Sequence, residues 1–134
     1  MSPSDASVDL SGLSGFRITQ CLVDSAFSLA MSHETKLALL RIESPFRLRL
    51  GQEWVFDPAD QRSTLGPALG LFGMVILSAK VIRSGELELV LPGDGWLLAY
   101  AGRDYEAWTL SLPDKTLIVS GVDGKISVFR DTPP

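Results

Sequence analysis

Leu13-Ser14-Gly15-Phe16-Arg17-Ile18-Thr19-Gln20-Cys21-Leu22-Val23 and Leu71-Phe72-Gly73-Met74-Val75-Ile76-Leu77-Ser78-Ala79-Lys80-Val81 read as one pattern written twice. Leu13, Gly15, Phe16, Ile18 and Val23 recur as Leu71, Gly73, Met74, Ile76 and Val81, an offset of 58 (71 − 13). Phe27, Leu29 and Leu37 then align with Leu87, Leu89 and Leu97 at an offset of 60 (87 − 27). Phe46, Leu48, Leu50, Val55 and Phe56 align with Trp108, Leu110, Leu112, Leu117 and Ile118 at 62 (108 − 46). Apolar residues replace apolar ones and the in/out alternation is kept, so the repeat is a repeat of architecture.

Alternation of period two marks both copies as β-rich. In Phe46-Arg47-Leu48-Arg49-Leu50 the Phe and both Leu face one way and the two Arg the other. Strands are expected over 16–23, 26–31, 36–43, 46–50 and 53–56, and again over 74–82, 86–91, 96–101, 107–112 and 116–120, with 126–129 added. Ser84-Gly85, Pro92-Gly93-Asp94-Gly95, Pro113-Asp114 and Val122-Asp123-Gly124-Lys125 supply hairpin turns, so consecutive strands should be antiparallel neighbours.

The expected fold is mainly β (α+β): duplicated antiparallel β-meander units with one short connecting helix, barrel-like or sandwich-like. The units are 10–56 and 71–130, forming a single domain over 10–130, with a disordered tail at 1–9 and a helical segment at 57–70. At 134 residues the chain suits one shared core rather than two. Asp57-Pro58 reads as a helix start, and Ser63 or Thr64 as a second cap. Leu65, Ala68, Leu69 and Phe72 fall at i, i+3, i+4 and i+7, which predicts an apolar helical stripe ending at Gly73. The expected core comprises Phe16, Ile18, Leu29, Leu39, Phe46, Leu48, Leu69, Phe72, Ile76, Leu89, Leu97, Trp108, Leu110 and Ile118.

Composition narrows the function classes. A net charge of −4 disfavours nucleic acid, whose binding rests on Lys/Arg contacts to phosphate, and favours a basic protein partner. The uncharged run 63–79 is shorter than the roughly 20 apolar residues a membrane helix needs and is interrupted by Gly and Pro, so it reads as buried, and no membrane partner is expected. Met1-Ser2-Pro3-Ser4-Asp5 has neither a basic nor an apolar signal-peptide region, and one cysteine cannot form an intrachain disulfide. Both point to the cytoplasm.

Chemistry-bearing residues are few. His33 is the one histidine, which rules out a two-histidine zinc site, and it reads as a solvated turn residue. Cys21 aligns with Ala79 and reads as a buried structural thiol. Asp57-Pro58-Ala59-Asp60 is a helix start rather than a metal site, and Asp123-Gly124 is a turn rather than a calcium loop. Gly93-Asp94-Gly95 lacks the Lys and helix of a phosphate loop. No cofactor, metal or catalytic residue is expected.

The segment most out of register with its copy is Gly102 to Trp108, where the second unit gains two residues (62 − 60). Insertions on a rigid scaffold are where function is grafted, and Tyr and Arg are favoured interface anchors. Arg103, Asp104, Tyr105 and Glu106 are therefore the candidate partner-binding residues.

A Leu-x-Gly-x-x-Ile/Val strand, Pro45-Phe46-Arg47-Leu48, the Asp57-Pro58 helix start, Leu-x-Pro-Ala-Leu-x-Leu-x-Gly (Leu65 to Gly73) and Tyr105-Glu106-Ala107-Trp108 together resemble a family of small uncharacterised bacterial domains. The likeness covers about residues 10–130 and brings no activity with it. From the residues themselves the expectation is a non-enzymatic cytoplasmic protein-binding domain, of the immunity type that neutralises a basic toxin or enzyme. The alternative is a small-molecule or lipid binder with an apolar cavity between the two β units. An enzymatic reading would need Arg103 to Glu106 to form a cleft with His33.

Overall fold

Alternation and turn chemistry produce eleven strands among the residues described by the computed structural model, 8–60 and 65–130. They are β1 Arg17–Val23, β2 Phe27–His33, β3 Lys36–Ile42, β4 Phe46–Leu50, β5 Gln52–Phe56, β6 Ser78–Val81, β7 Leu87–Leu91, β8 Gly95–Ala99, β9 Trp108–Ser111, β10 Leu117–Ser120 and β11 Ile126–Phe129. A six-stranded sheet has the order β1-β2-β3-β9-β10-β11, and a five-stranded sheet the order β5-β4-β8-β7-β6. Every pairing is antiparallel, and the two open sheets stack as a sandwich, not a closed barrel.

Adding five to the strand number turns β1-β2-β3 into β6-β7-β8 and makes β4-β5 the counterpart of β9-β10. Each half of the chain thus supplies a three-stranded meander to one sheet and a hairpin to the other. The registers agree: Trp108 pairs with Ile42 and Leu110 with Leu40, as Phe46 pairs with Ala99 and Leu48 with Leu97. Phe46 (0% exposed) and Trp108 (1%) occupy corresponding places in one core.

The halves meet through reciprocal backbone bonds. Gly15 N–H donates to Ile76 O (2.8 Å) and Gly73 N–H to Ile18 O (2.7 Å); Ile18 N–H donates to Met74 O and Ile76 N–H to Phe16 O. Each bond has its counterpart 58 residues away, and Arg17 bridges Val75 at the centre. Gly15 (φ 91°) and Gly73 (φ 85°) sit in the left-handed region that glycine enters without strain. The second unit's first strand is only Ser78–Val81 rather than the expected 74–82, because the five-residue β7 pairs back only to Ser78 where the seven-residue β2 carries β1 to Arg17.

Between the sheets Phe27 stacks on Phe46 (5.2 Å between ring centres), which tilts against Phe56 (5.3 Å). Leu29, Leu40, Leu48, Leu97 and Leu110 fill the rest of that layer. At one corner the turn after β6 crosses the turn before β11. A Cβ on Gly85 would lie 2.6 Å from Gly124 Cα, and the buried Gly85 carbonyl accepts from Trp108 Nε1–H (3.0 Å) and Ser120 Oγ–H (2.8 Å).

Three expected core residues lie outside the core. Leu39 is 46% exposed because β3 alternates, turning Ala38, Leu40 and Ile42 inward. Leu69 (50%) and Phe72 (64%) are exposed because Gly66–Leu71 forms a 3-10 helix. Its period of three places Leu65, Ala68 and Leu71 on the inner face, where an α-helix would have used Leu65, Ala68, Leu69 and Phe72. Gly66, Pro67 and Gly70 leave too little propensity for a longer helix.

Asp57-Pro58 opens a turn, not a helix: Asp60 N–H donates to Asp57 O and Ala59 N–H to Asp57 Oδ1. The expected caps Ser63 and Thr64 lie outside the described residues, as does most of the expected tail. Within that tail, Val8 packs against the core and Asp9 accepts a bond from Ser11 N–H. Finally, Leu29 pairs with Leu40 where Leu89 pairs with Leu97, so the counterpart of Leu97 is Leu40; Leu37 lies further out on a longer hairpin.

Candidate functional site

Among the described residues, exposed side chains gather in the loop between β8 and β9, at one end of the sandwich and on the outer face of the six-stranded sheet.

The loop is held by backbone. Ala107 N–H donates to Ser120 O, Ala107 O accepts from Glu43 and Ser44 N–H, and Arg103 O accepts from Asp123 N–H. A Cβ on Gly102 would lie 2.5 Å from Tyr105 O, so the loop closes tightly on itself. Buried Ala107 and Trp108 anchor its end. Arg103, Asp104, Tyr105 and Glu106 are all exposed, Tyr105 by half, and Val122 stands exposed on the adjoining turn. The backbone is pinned while the side chains are presented, the arrangement that lowers the ordering cost of binding.

His33 ends β2 and pairs with Lys36 at the far end of β3, whereas the loop adjoins Ile42. The six residue steps from Lys36 to Ile42 at about 3.3 Å each put roughly 20 Å between them, so the structure does not bring His33 and Arg103 to Glu106 into one cleft. His33 is half exposed, 3.9 Å from Glu34 and packed against the Phe16 ring. Cys21 pairs with Leu29 inside β1, and burial pushes its thiol pKa up, away from the reactive thiolate. Among the described residues no three His, Cys, Asp or Glu side chains are grouped to hold a metal ion, and no helix is long and apolar enough to cross a membrane.

At the His33 end an open pocket of about 440 Å³ has an apolar floor of Leu10, Leu13, Phe16 and Leu112, with Asp9, Asp114 and Lys36 around it. Both carboxyls are held below the ordinary value of 3.8, chiefly by backbone N–H donors, Ser11 for Asp9 and Thr116 for Asp114. This pocket lies at the end of the sandwich; the layer between the sheets is filled by side chains.

The two outer faces differ in kind. On the five-stranded sheet the outward rows are Val55, Arg47, Leu98, Glu88, Lys80 and Glu53, Arg49, Trp96, Val90, Ser78. Half of these positions are charged, with Arg47 paired to Glu53 (3.3 Å) and lying over the Trp96 ring (5.5 Å). On the six-stranded sheet the rows are Leu22, Ser28, Arg41, Thr109, Val119, Ser127; then Gln20, Ala30, Leu39, Ser111, Leu117, Phe129; then Arg17, Ser32, Leu37. No carboxylate stands among them. Arg41 is engaged by Glu43 (3.0 Å) and Asp24 (3.5 Å), and Arg17 donates to Gly73 O. Sequence reading missed this face because Leu39 was assigned inward and the order of strands from the two halves was not legible.

A family model described as a family of unknown function (DUF6188) matches residues 10–130. No curated protein and no solved structure matches the chain.

Proposed function

We propose, for a chain that belongs to the DUF6188 family of unknown function, a non-enzymatic protein-binding role with the loop Arg103 to Glu106 as the contact and Tyr105 as its anchor. The carrying observation is that every side chain from 103 to 106 is exposed on a backbone fixed at both ends. An exposed aromatic between charges of both signs suits a hot spot with a polar surround. The net charge of −4 favours a basic partner, the chemistry that an immunity-type role in a bacterial cytoplasm would use against a toxin or enzyme.

The test pairs binding with stability on one variant. The tagged chain and its Tyr105→Ala variant are expressed in the native host, captured proteins are quantified by mass spectrometry, and both chains are melted. A specific protein should be lost by at least about tenfold in the variant, since truncating an anchor costs about 2 kcal/mol or more. The melting temperature should stay within about 2 °C, because the side chain is half exposed. Identical captured sets would end the assignment to this loop. A small-molecule reading has one observation in its favour, the apolar-floored pocket near His33.

A further inference from the structure

The two halves of the chain offer an internal comparison for the pocket at the His33 end. Gly12, Leu13 and Phe16 line it, and their equivalents 58 residues on are Gly70, Leu71 and Met74. Across from them stands Leu112, the equivalent of Leu50 (112 − 62). In the second half this place is closed, since a Cβ on Gly70 would lie 3.3 Å from Leu50 Cδ1. In the first half a Cβ on Gly12 would meet nothing within 4 Å, and the pocket of about 440 Å³ lies beside it.

The difference comes with departures from the repeat. Gly51 alone joins β4 to β5, with Leu50 paired to Gln52. Between β9 and β10 the chain takes Pro113, Asp114 and Lys115, closed by Leu112 N–H donating to Thr116 O (2.8 Å). The β2–β3 hairpin has seven-residue strands where β7–β8 has five-residue ones, and its extension carries Lys36. Asp9 stands where the other copy has Pro67 (67 − 58). All three charged groups at the pocket thus belong to features that the other half lacks, and these features converge on one place. Packing is already satisfied by the closed version, so the open one is where function is grafted on the scaffold.

We propose that this pocket binds a free amino acid with a large apolar side chain, held as its zwitterion. The apolar floor takes the side chain, Asp9 and Asp114 take the ammonium, and Lys36 takes the carboxylate. Each aspartate Oδ1 accepts a backbone N–H of its own turn, from Ser11 and from Thr116 (2.9 Å each), which orients the group. A carboxylate has about four acceptor sites, so both retain capacity for a ligand. Among the described residues none of the three charged groups enters an ion pair, and Arg130 acts on Asp114 only through its field. A lone cation would leave Lys36 unanswered, and a fatty acid would bring its carboxylate against two others. A zwitterion answers both signs and is indifferent to the net charge of −4. The volume falls within the roughly 300–1,000 Å³ of small-molecule sites. Because the pocket is open and its charges are solvated, Kd should be on the order of 1 mM. The proposal rests on the small-molecule reading; the loop 103–106 lines no part of the pocket, so the protein contact stands or falls separately.

The experiment is titration of the isotope-labelled full chain with L-phenylalanine and with L-leucine, followed by amide NMR. The amides of Leu13, Lys36 and Asp114 should shift. Phenethylamine, which lacks the carboxylate, and hydrocinnamate, which lacks the ammonium, should each bind about threefold or more weakly than phenylalanine. Lys36→Met should weaken phenylalanine to the level of phenethylamine and leave phenethylamine unchanged. Gly12→Leu should keep the dispersed spectrum of the folded chain, because the space at its Cβ is open, and should abolish binding as Leu50 closes the other half. No shift by either amino acid at about 10 mM, or shifts confined to other residues, overturns the site. Either analogue binding as tightly as phenylalanine overturns the zwitterion. If Gly12→Leu fails to fold, Lys36→Met decides, and unchanged affinity for phenylalanine refutes the assignment.

Discussion

Trp108 and Ser120 converge on one acceptor, and that convergence fixes what their removal should do. Trp108 Nε1–H and Ser120 Oγ–H both donate to the buried Gly85 carbonyl. Trp108→Phe keeps most of the ring in the core and removes one donor; Ser120→Ala removes the other. A typical hydrogen bond contributes about 1 kcal/mol net, and Trp108→Phe also loses some packing, so the single variants should cost about 1–2 kcal/mol each. In either single variant the carbonyl keeps a partner. In the double variant a buried acceptor has none, which adds about 1–3 kcal/mol. The double-mutant cycle should therefore show a coupling of at least about 1 kcal/mol beyond the sum. Urea unfolding followed by far-UV circular dichroism measures it without relying on tryptophan fluorescence. Additivity within about 0.5 kcal/mol would refute the shared-acceptor account.

Gly85→Ala should destabilise by more than about 2 kcal/mol in the same assay, because φ is 103° and the new Cβ would meet Gly124 backbone at 2.6 Å. Leu71→Ala should cost about 2–5 kcal/mol, whereas Phe72→Ser should stay within about 0.5 kcal/mol, which separates the 3-10 packing from an α-helical one. Asp24 is held below 3.8, chiefly by Ala26 N–H with Arg41 adding to it, as Asp9 and Asp114 are by their own backbone donors. A carboxyl depressed in the folded state contributes stability above its unfolded pKa and loses it as pH falls through the folded value. Melting temperature should accordingly hold from neutral pH to about 5 and drop below about 4, and Asp24→Asn should shrink the drop.

The repeat was legible because both copies preserve glycine where the chain turns left-handed and an apolar residue where it turns inward, as Gly15 and Gly73 or Ile18 and Ile76 show. Strand identity followed from alternation. Two kinds of information were missing. Leu69 and Phe72 against Leu71 is a choice between periods of 3.6 and 3, which four apolar residues in a glycine-rich run cannot decide. Leu37 against Leu40 is a choice of hairpin length, set by pairing across β2 and β3 rather than by either strand alone. The loop 103–106 was visible as an insertion. The outer face of the six-stranded sheet was not, since its rows are assembled from residues as distant as Leu39 and Ser111.

The exchange of hairpins between the sheets also dictates when the molecule can form. Leu40 pairs with Leu110, 70 residues later (110 − 40), and Leu48 with Leu97. A chain emerging from the ribosome can assemble the first meander at once, but the unpaired edge of β3 must wait until β9 has been synthesised. During that interval the β4–β5 hairpin has no sheet to join. Such non-local pairings carry a large loop-closure cost ahead of their reward, which places folding in the range of milliseconds to seconds. A chain truncated before Trp108 would leave a strand edge beside an apolar surface, open to intermolecular pairing. Quality control during translation, rather than equilibrium stability, is where this architecture is most exposed.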